Sequence, residues 1–254
     1  MSELVRLERK GGIAVITINR PERKNAFDRA TAYAMEAAID ELDRDDELRV
    51  GVLTGEGDVF CAGQDIIAAG KGELGRTDRR GGGGIMAQPP EKPIIAAVEG
   101  YAVGGGLEVC LSCDLIVASR TAKLGLPEAK RGFPAMGGGL FRLPRRIPYA
   151  MAMEAAVTGA TWSAERFHEL GLVNRLAEPG EALGVALALA GEVAAAAPVA
   201  VKASKAIVRH SQEWTDAESW RNQEPFVDEV LNSADYHEGM AAFAEKRLPQ
   251  WKGR

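Results

Sequence analysis

Four features of the chain carry chemistry. The first is Gly100–Glu108, G-Y-A-V-G-G-G-L-E, with three consecutive glycines running into a helix. Glycines there let the backbone take a positive φ or let another group come close. The first-turn N–H groups of the helix they open are unpaired and sit at the positive end of its dipole. Such groups bind an anion or an oxygen that is gaining negative charge. A tight strand-to-helix turn without a ligand accounts for the glycines equally well. The second feature is Phe60–Ile66, F-C-A-G-Q-D-I, where a turn after a strand can present the Gln64 N–H; an ordinary turn reads the same way. The third is Glu108, set between Leu107 and Val109 on a helix that should be buried, where an unpaired Glu is rare. Desolvation raises a carboxyl's pKa and suits it to proton transfer near neutrality. The fourth is Glu128, which follows a small strand in Leu-Pro-Glu and precedes the glycine- and proline-bearing loop 132–139. A single Glu is ordinarily a solvated surface residue. Only the conjunction of the four points to a site.

Other chemistries fit less well. A strand, a glycine turn and an acid twenty residues on, Glu128, imitate a dinucleotide fingerprint. The glycines run G-x-x-x-G-G-G rather than G-x-G-x-x-G, which removes most of that case. No Walker motif exists, because Gly70-Lys71 is followed by Gly72. Cys110 and Cys113 form a CxxC with no second pair and no nearby His, so an apolar helix face is preferred to zinc and no metal is expected. Cys61 has no base near it in sequence and reads as a small buried hydrophobe. His168, His210 and His237 all lie in the C-terminal half, which gives a Ser-His-Asp arrangement no support. Arg142, Arg145 and Arg146 form a basic cluster of the kind that is most often a solvated face.

The elements that must position these residues follow a β/α rhythm. Residues 3–9 alternate, Gly11-Gly12 turns the chain, and Ile13–Asn19 alternates again, which predicts a β-hairpin stopped by Arg20-Pro21. A helix opened by Asn25, with Asp28 three residues on in a capping-box pattern, carries the stripe Met35, Ala38, Ile39, Leu42. Strands are expected at Val50–Thr54, Ile94–Val98, Leu115–Ala118 and Val173–Leu176. Helices are expected at Gly104–Leu111, Ser163–Leu170 and Ala182–Ala196, then at 199–210, 216–231 and 238–246. Residues 70–93, glycine- and proline-rich and without apolar periodicity, read as a mobile loop, either a lid over a site or a tolerated insertion. The alanine-rich 182–196 stretch suits packing on a neighbour or within the chain.

Length and composition suit a soluble globular protein of one large domain, or a core with an appendage: 254 residues, 46% apolar and 26% charged. A net charge of −5 argues against a main role in neutralising nucleic-acid phosphates. No long uncharged apolar window and no signal-peptide core are present, and three cysteines make no disulfide framework. The expectation is a cytoplasmic protein with neither nucleic acid nor membrane as partner.

The ordered motifs F-C-A-G-x-D-I, A-A-V-E-G-Y-A-V-G-G-G-L-E, L-G-L-P-E-A-K and V-T-G-A with G-L-V-N-R resemble the enoyl-CoA hydratase/isomerase (crotonase) family. The resemblance runs from Asn19-Arg20-Pro21 to Phe243–Arg247, nearly the whole chain. It implies an α/β fold, a spiral of ββα units over residues 1–196, and a helical trimerisation region over 197–254. Members of the family assemble as trimers or dimers of trimers and bind acyl-CoA thioesters. By resemblance, the backbone N–H groups of Gln64 and Gly105 form an oxyanion hole, and Glu108 and Glu128 match the two glutamates of the hydratases. CoA would be held around Ala62–Ile66, including Asp65 and Ile66, with Lys24 as a cation for its phosphates. Phe243 and Lys246 would reach CoA bound to a neighbouring subunit. No cofactor is expected beyond the coenzyme A of the substrate. The resemblance implies reversible hydration of a 2-enoyl-CoA. An isomerase, a carnitinyl-CoA-type dehydratase and a non-catalytic CoA-binding or RNA-associated scaffold are the alternatives. The ending F-A-E-K-R-L-P-Q-W-K-G-R and the F-C-A-G turn look more like the carnitinyl-CoA dehydratase branch. The loop after Glu128 departs from the usual hydratase pattern: it is one residue shorter, and Leu140-Phe141 replace Thr-Gln.

Overall fold

Alternating Val, Ile and Thr around Gly11, whose φ is +60°, form the hairpin of β1 (Val5–Lys10) and β2 (Ile13–Ile18), in register from Val5 opposite Ile18 to Lys10 opposite Ile13. The computed structural model describes residues 3–254. After the hairpin come α1 (Arg29–Arg44), β3 (Val50–Gly55), the one-turn α2 (Ile66–Gly70), and two-residue strands β4 (Arg76–Thr77) and β5 (Gly81–Gly82). Next are β6 (Ile94–Val98), β7 (Tyr101–Val103), α3 (Gly105–Ser112), β8 (Leu115–Ser119) and β9 (Lys123–Gly125). The short α4 (Gly139–Arg142) precedes α5 (Tyr149–Thr158), β10 (Thr161–Ser163), α6 (Ala164–Glu169) and β11 (Arg175–Ala177). Four helices finish the chain: α7 (Ala182–Ala194), α8 (Pro198–Ser211), α9 (Asp216–Leu231) and α10 (Ala234–Glu245).

The main sheet has the order β1-β2-β3-β6-β8-β11 and is parallel except for the β1–β2 hairpin. A second sheet, β10-β9-β7, lies beside it. Strand from one sheet, strand from the other, then helix is the repeat that β6-β7-α3 shows in full and β8-β9-α4 shows again. This is the mixed α/β spiral that the family resemblance implies. Parallel strands covered on both faces read as near-continuous apolar runs, as Ile94–Val98 does. One face carries Leu53, Ile94, Ala96 and Ile116 against the Met35 and Ile39 stripe of α1 and Leu107 of α3. The other carries Val50, Val52, Ile95 and Val117 against Ala182, Ala186 and Ala190 of α7. The alanine face of α7 therefore packs within the chain.

Three expectations need correction. The cap of α1 is Asp28, whose carboxylate accepts the Thr31 N–H at 2.9 Å. Asn25 instead takes φ 54°, accepts the Arg20 N–H, and donates to the Glu56 and Val59 carbonyls, knitting two loops together. Residues 70–93 form no mobile loop: Arg80, Ile85 and Met86 are buried. Arg80 reaches Asp40 and Asp43 of α1 at 2.8 and 3.0 Å and the Gln88 carbonyl at 2.7 Å. A Cβ on Gly84, at φ +72°, would collide with the Ala32 carbonyl, so this glycine permits close approach to α1. The last helix begins at Ala234, capped by Ser233, four residues before the expected start. Among the described residues no single helix is long and apolar enough to cross a membrane.

Candidate active site

The turn Gly63-Gln64 is pinned edge-on to the segment Lys24–Phe27. Ala62 donates to the Lys24 carbonyl at 3.0 Å, Phe27 to that of Gly63 at 2.9 Å, and Asp65 to that of Phe27 at 2.9 Å. Gln64, between these partners, points its N–H the other way, and among the described residues that N–H has no acceptor. Gly105 opens α3, and its N–H, ahead of the first intrahelical bond from Glu108 to Gly104, is likewise free. The two lie side by side: a Cβ on Gly105 would stand 3.3 Å from the Gln64 nitrogen, and one on Gly63 would stand 2.9 Å from the Gly105 nitrogen. Glycine at both positions, with φ +92° at Gly63, is what lets two unpaired donors converge.

Both glutamates are buried, Glu108 at 5% and Glu128 at 6% exposure. Glu108 stands in the first turn of α3, and its Oε1 accepts the N–H groups of Gly137 at 2.7 Å and Gly139 at 2.9 Å. Burial pushes its pKa up; the two N–H bonds and the Arg142 guanidinium pull against that rise. Glu128 lies in a 3-10 turn, Pro127–Arg131, whose proline starts it and whose Gly132, at φ +85°, ends it. Its Oε2 is buried without a hydrogen-bond partner. Burial raises its pKa as well, and the negative charge of Glu108 raises it further. A Cβ on Gly104 would come within 3.0 Å of Glu128 Oε1, so the glycine run also makes room for this acid. A cavity of about 580 Å³ opens beside Glu128, its wall otherwise apolar: Leu126, Phe133, Leu140, Tyr149 and Met153.

Other expected residues stand in the same region with different duties. The Asp65 carboxylate is spent on the Ile67 and Ala68 N–H groups of α2 and on Arg20, its N–H on the Phe27 carbonyl and its carbonyl on the Ala69 N–H and the Gln64 amide, so this residue shapes the turn. Lys24 takes φ 52° next to this turn, and Ile66 is 63% exposed. The Gln64 side chain accepts the Gly75 N–H, fastening the start of segment 70–93 to the turn. Phe243 and Lys246, at the end of α10, do not line the cavity, and Phe243 is 85% exposed. Cys61, Cys110 and Cys113 are buried free thiols whose pKa values burial raises, that of Cys61 to about 12, which makes them unreactive. Among the described residues no cluster has the makings of a metal site.

Sequence reading missed Gly137, Gly139 and Arg142 as partners of Glu108, and α5 as a cavity wall. Gly137–Gly139 read only as a loop, because a carboxylate bond made by backbone leaves no side-chain signature. The signal for α5 was present: Pro148 before it and Gly159, at φ 59°, behind it.

A family model described as enoyl-CoA hydratase/isomerase matches residues 8–254. Carnitinyl-CoA dehydratase from Salmonella typhi is 42% identical over 263 residues, covering the whole of both chains. Among solved structures, enoyl-CoA hydratase EchA1 from Mycobacterium marinum superposes with a TM-score of 0.98 at 50% identity, with complete coverage of both chains. Carnitinyl-CoA hydratase from Mycobacterium avium gives 0.80 at 38%, again with complete coverage of both. With matches of this extent, the chain belongs to the enoyl-CoA hydratase/isomerase family.

Proposed function

We propose that this protein adds water reversibly across the double bond of a 2-enoyl-CoA, giving a 3-hydroxyacyl-CoA. The observation that carries this reading is a pair of buried carboxyls in unequal environments next to two unpaired, converging N–H groups. The thioester carbonyl oxygen would sit between the N–H groups of Gln64 and Gly105, which stabilise the negative charge it gains as C3 is attacked. One such donor is worth about 3 kcal/mol of barrier. Glu108 is the better anion of the pair, because two N–H groups and a guanidinium favour its charge. With Oε1 occupied, its Oε2 is the atom left to take a proton from the attacking water. Glu128 has a partnerless oxygen and a negative neighbour, so it holds the proton and delivers it to C2. In reverse, Glu128 removes the C2 proton and the hydroxyl leaves as water with help from Glu108. An isomerase needs one base and no bound water, and two buried carboxyls weigh against it.

The acyl chain would enter the cavity beside Glu128. Apart from Glu128 the residues facing it carry no charge, which suits it to an uncharged hydrocarbon chain. Backbone at Ala62 and Ile66, on the turn that Asp65 braces, and the Lys24 ammonium would hold the CoA, with no further cofactor. Residues 197–254 would associate as a trimer or a dimer of trimers, bringing Phe243 and Lys246 to a neighbour's CoA. Three buried free thiols support a reducing, cytoplasmic setting.

Loss of the conjugated enoyl-thioester absorbance of crotonyl-CoA tests the reading. Wild type should consume it, and Glu108→Gln and Glu128→Gln should each slow the reaction about 10²–10⁴-fold with folding intact. Near-wild-type rates in either variant would refute it.

A further inference from the structure

A second cavity, of about 790 Å³, lies between α8 and the core at the far end of α3 from the converging amides. Gly105 and Ser112 mark those two ends, roughly 10 Å apart along the helix. Arg142, Arg145 and Arg146 line one wall, Lys205 and Arg209 the other, with Asp114 and Glu213 the only acids facing it. Both acids are already engaged. Asp114 binds Lys205 at 2.6 Å and accepts the Ile94 N–H, and Glu213 lies 3.4 Å from Arg145. Arg142 donates only to neutral groups, Ser112 Oγ and the Met86 carbonyl, and Arg146 only to the Cys113 carbonyl. Arg209 has no hydrogen-bond or ion-pair partner among the described residues. Part-buried Arg142 and Arg146 and exposed Arg209 thus line one cavity with no acid bonded to any of them, Glu108 being the one carboxylate whose charge reaches Arg142, in a chain whose net charge is −5. Burial, joined by repulsion from Arg209, pulls the pKa values of Arg142 and Arg146 down, against the opposing pull of Glu108 on the first and Asp114 on the second. Buried or part-buried charge is ordinarily paired.

We propose that this cavity binds a phosphate-bearing small anion, held by Arg142, Arg146 and Arg209. A tetrahedral phosphoryl group offers several oxygens at once and accepts forked bonds from planar guanidiniums, which match it better than ammonium groups do. A carboxylate reaching in from another protein chain offers two oxygens and has to thread between α8 and α4. The cavity has room for more than a single phosphate, so free pyrophosphate and the diphosphate of a nucleotide share the required chemistry.

Calorimetric titration of the full-length protein at fixed ionic strength, with inorganic pyrophosphate and then ADP, tests the proposal. Wild type should bind pyrophosphate, Arg209→Gln should bind it at least tenfold more weakly, and Arg209→Glu should not bind it. Lys24→Ala should bind it as wild type does, because Lys24 lies on the opposite, CoA-facing side. ADP binding that Arg209→Glu abolishes together with pyrophosphate binding would identify a nucleotide site, and pyrophosphate binding alone lost in that variant a site for the free anion; either supports the proposal. Three results overturn it: no binding by wild type at millimolar concentration, equal binding by the Arg209 variants, or loss of binding in Lys24→Ala instead. A fall in oligomer mass in Arg209→Glu together with no binding by wild type would also overturn it, because the arginines would then be paired by a neighbour's carboxylates. None of these outcomes depends on hydratase activity.

Discussion

Glu108 and Glu128 are chemically the same side chain, and their surroundings set them apart for the two roles that the proposed reaction needs. Each loses solvent, and each has its pKa raised for that reason first. Two N–H bonds from the glycine loop and a guanidinium offset the cost for Glu108; Glu128 has its own N–H and the more distant charge of Arg131, but its Oε2 is buried without a partner and stores an energetic penalty beside the cavity. The folded pKa of Glu128 lies above its unfolded value, which is near 4.3. Below the unfolded value the carboxyl is protonated in both states and the penalty vanishes. As the pH rises through the folded value, the folded state has to bury a charge and stability is lost. Glu128→Gln should therefore melt above wild type at pH 8, by roughly 2–4 °C for each kcal/mol relieved. The difference should shrink as the pH approaches 4, and a pH-independent difference would show that the carboxyl is not desolvated. Glu108 offers a geometric test instead. A Cβ on Gly137 would strike Met86 Sδ and stand 2.6 Å from Glu108 Oε2. Gly137→Ala should lower kcat on crotonyl-CoA about 10²-fold through misplacement of that carboxylate, with KM changed far less. An unchanged kcat would show that the Gly137 contact does not position Glu108.

At the scale of elements, segment 70–93 is the wall that stands behind Glu108. Met86 packs where Gly137 approaches, and its carbonyl accepts from Arg142 at 2.6 Å. Arg80 clamps that wall to two acids of α1, and its removal would leave Asp40 and Asp43 facing each other without their shared cation. Arg80→Ala should cost about 2–3 kcal/mol and lower Tm by roughly 4–12 °C. Limited proteolysis should then cut first within 70–93; a resistant segment with an unchanged Tm would show that the clamp is dispensable. Why this wall read as a loose loop is physical. Glycine is chosen both for freedom and for close approach, and the letters do not tell which. Gly84 against the Ala32 carbonyl is a packing glycine, but its neighbours in sequence look like those of a linker. Asn25 and Asp28 pose a similar ambiguity, since both types cap helices and both stabilise turns. The alternating hairpin, the α1 stripe and the glycine-to-helix junction at Gly104–Gly105 were legible, because each imposes a period or a conformation on consecutive residues. The bonds from Gly137 and Gly139 to Glu108 were not, because they join backbone to a side chain about thirty residues away.

At the scale of the whole molecule, the sheet spends both faces on its own helices, and the last quarter of the chain is left with half a core. α8 is tied to the body by Lys205 to Asp114 and Lys202 to Glu91, and Trp251 returns to donate to the Ala195 carbonyl. α9 has no buried residue at all. Trp220, Val227 and Leu231 on it are exposed at 74%, 38% and 45%. Spacings of seven and four put these three side chains on one helical face. A helix of this length draws most of its stability from packing an apolar face. A stripe led by a bare tryptophan, with Phe243 and Leu248 also uncovered, is the surface that the proposed trimer would cover. Analytical ultracentrifugation should give three or six times 27.1 kDa for wild type. Trp220→Glu with Val227→Glu should shift the mass toward one chain, because two charges would have to be buried at the interface. If Phe243 and Lys246 complete a neighbour's CoA site, that dissociation should raise KM for the thioester more than it lowers kcat. A wild-type mass of one chain, with full activity, would leave α9 without a partner and confine the active site to a single subunit.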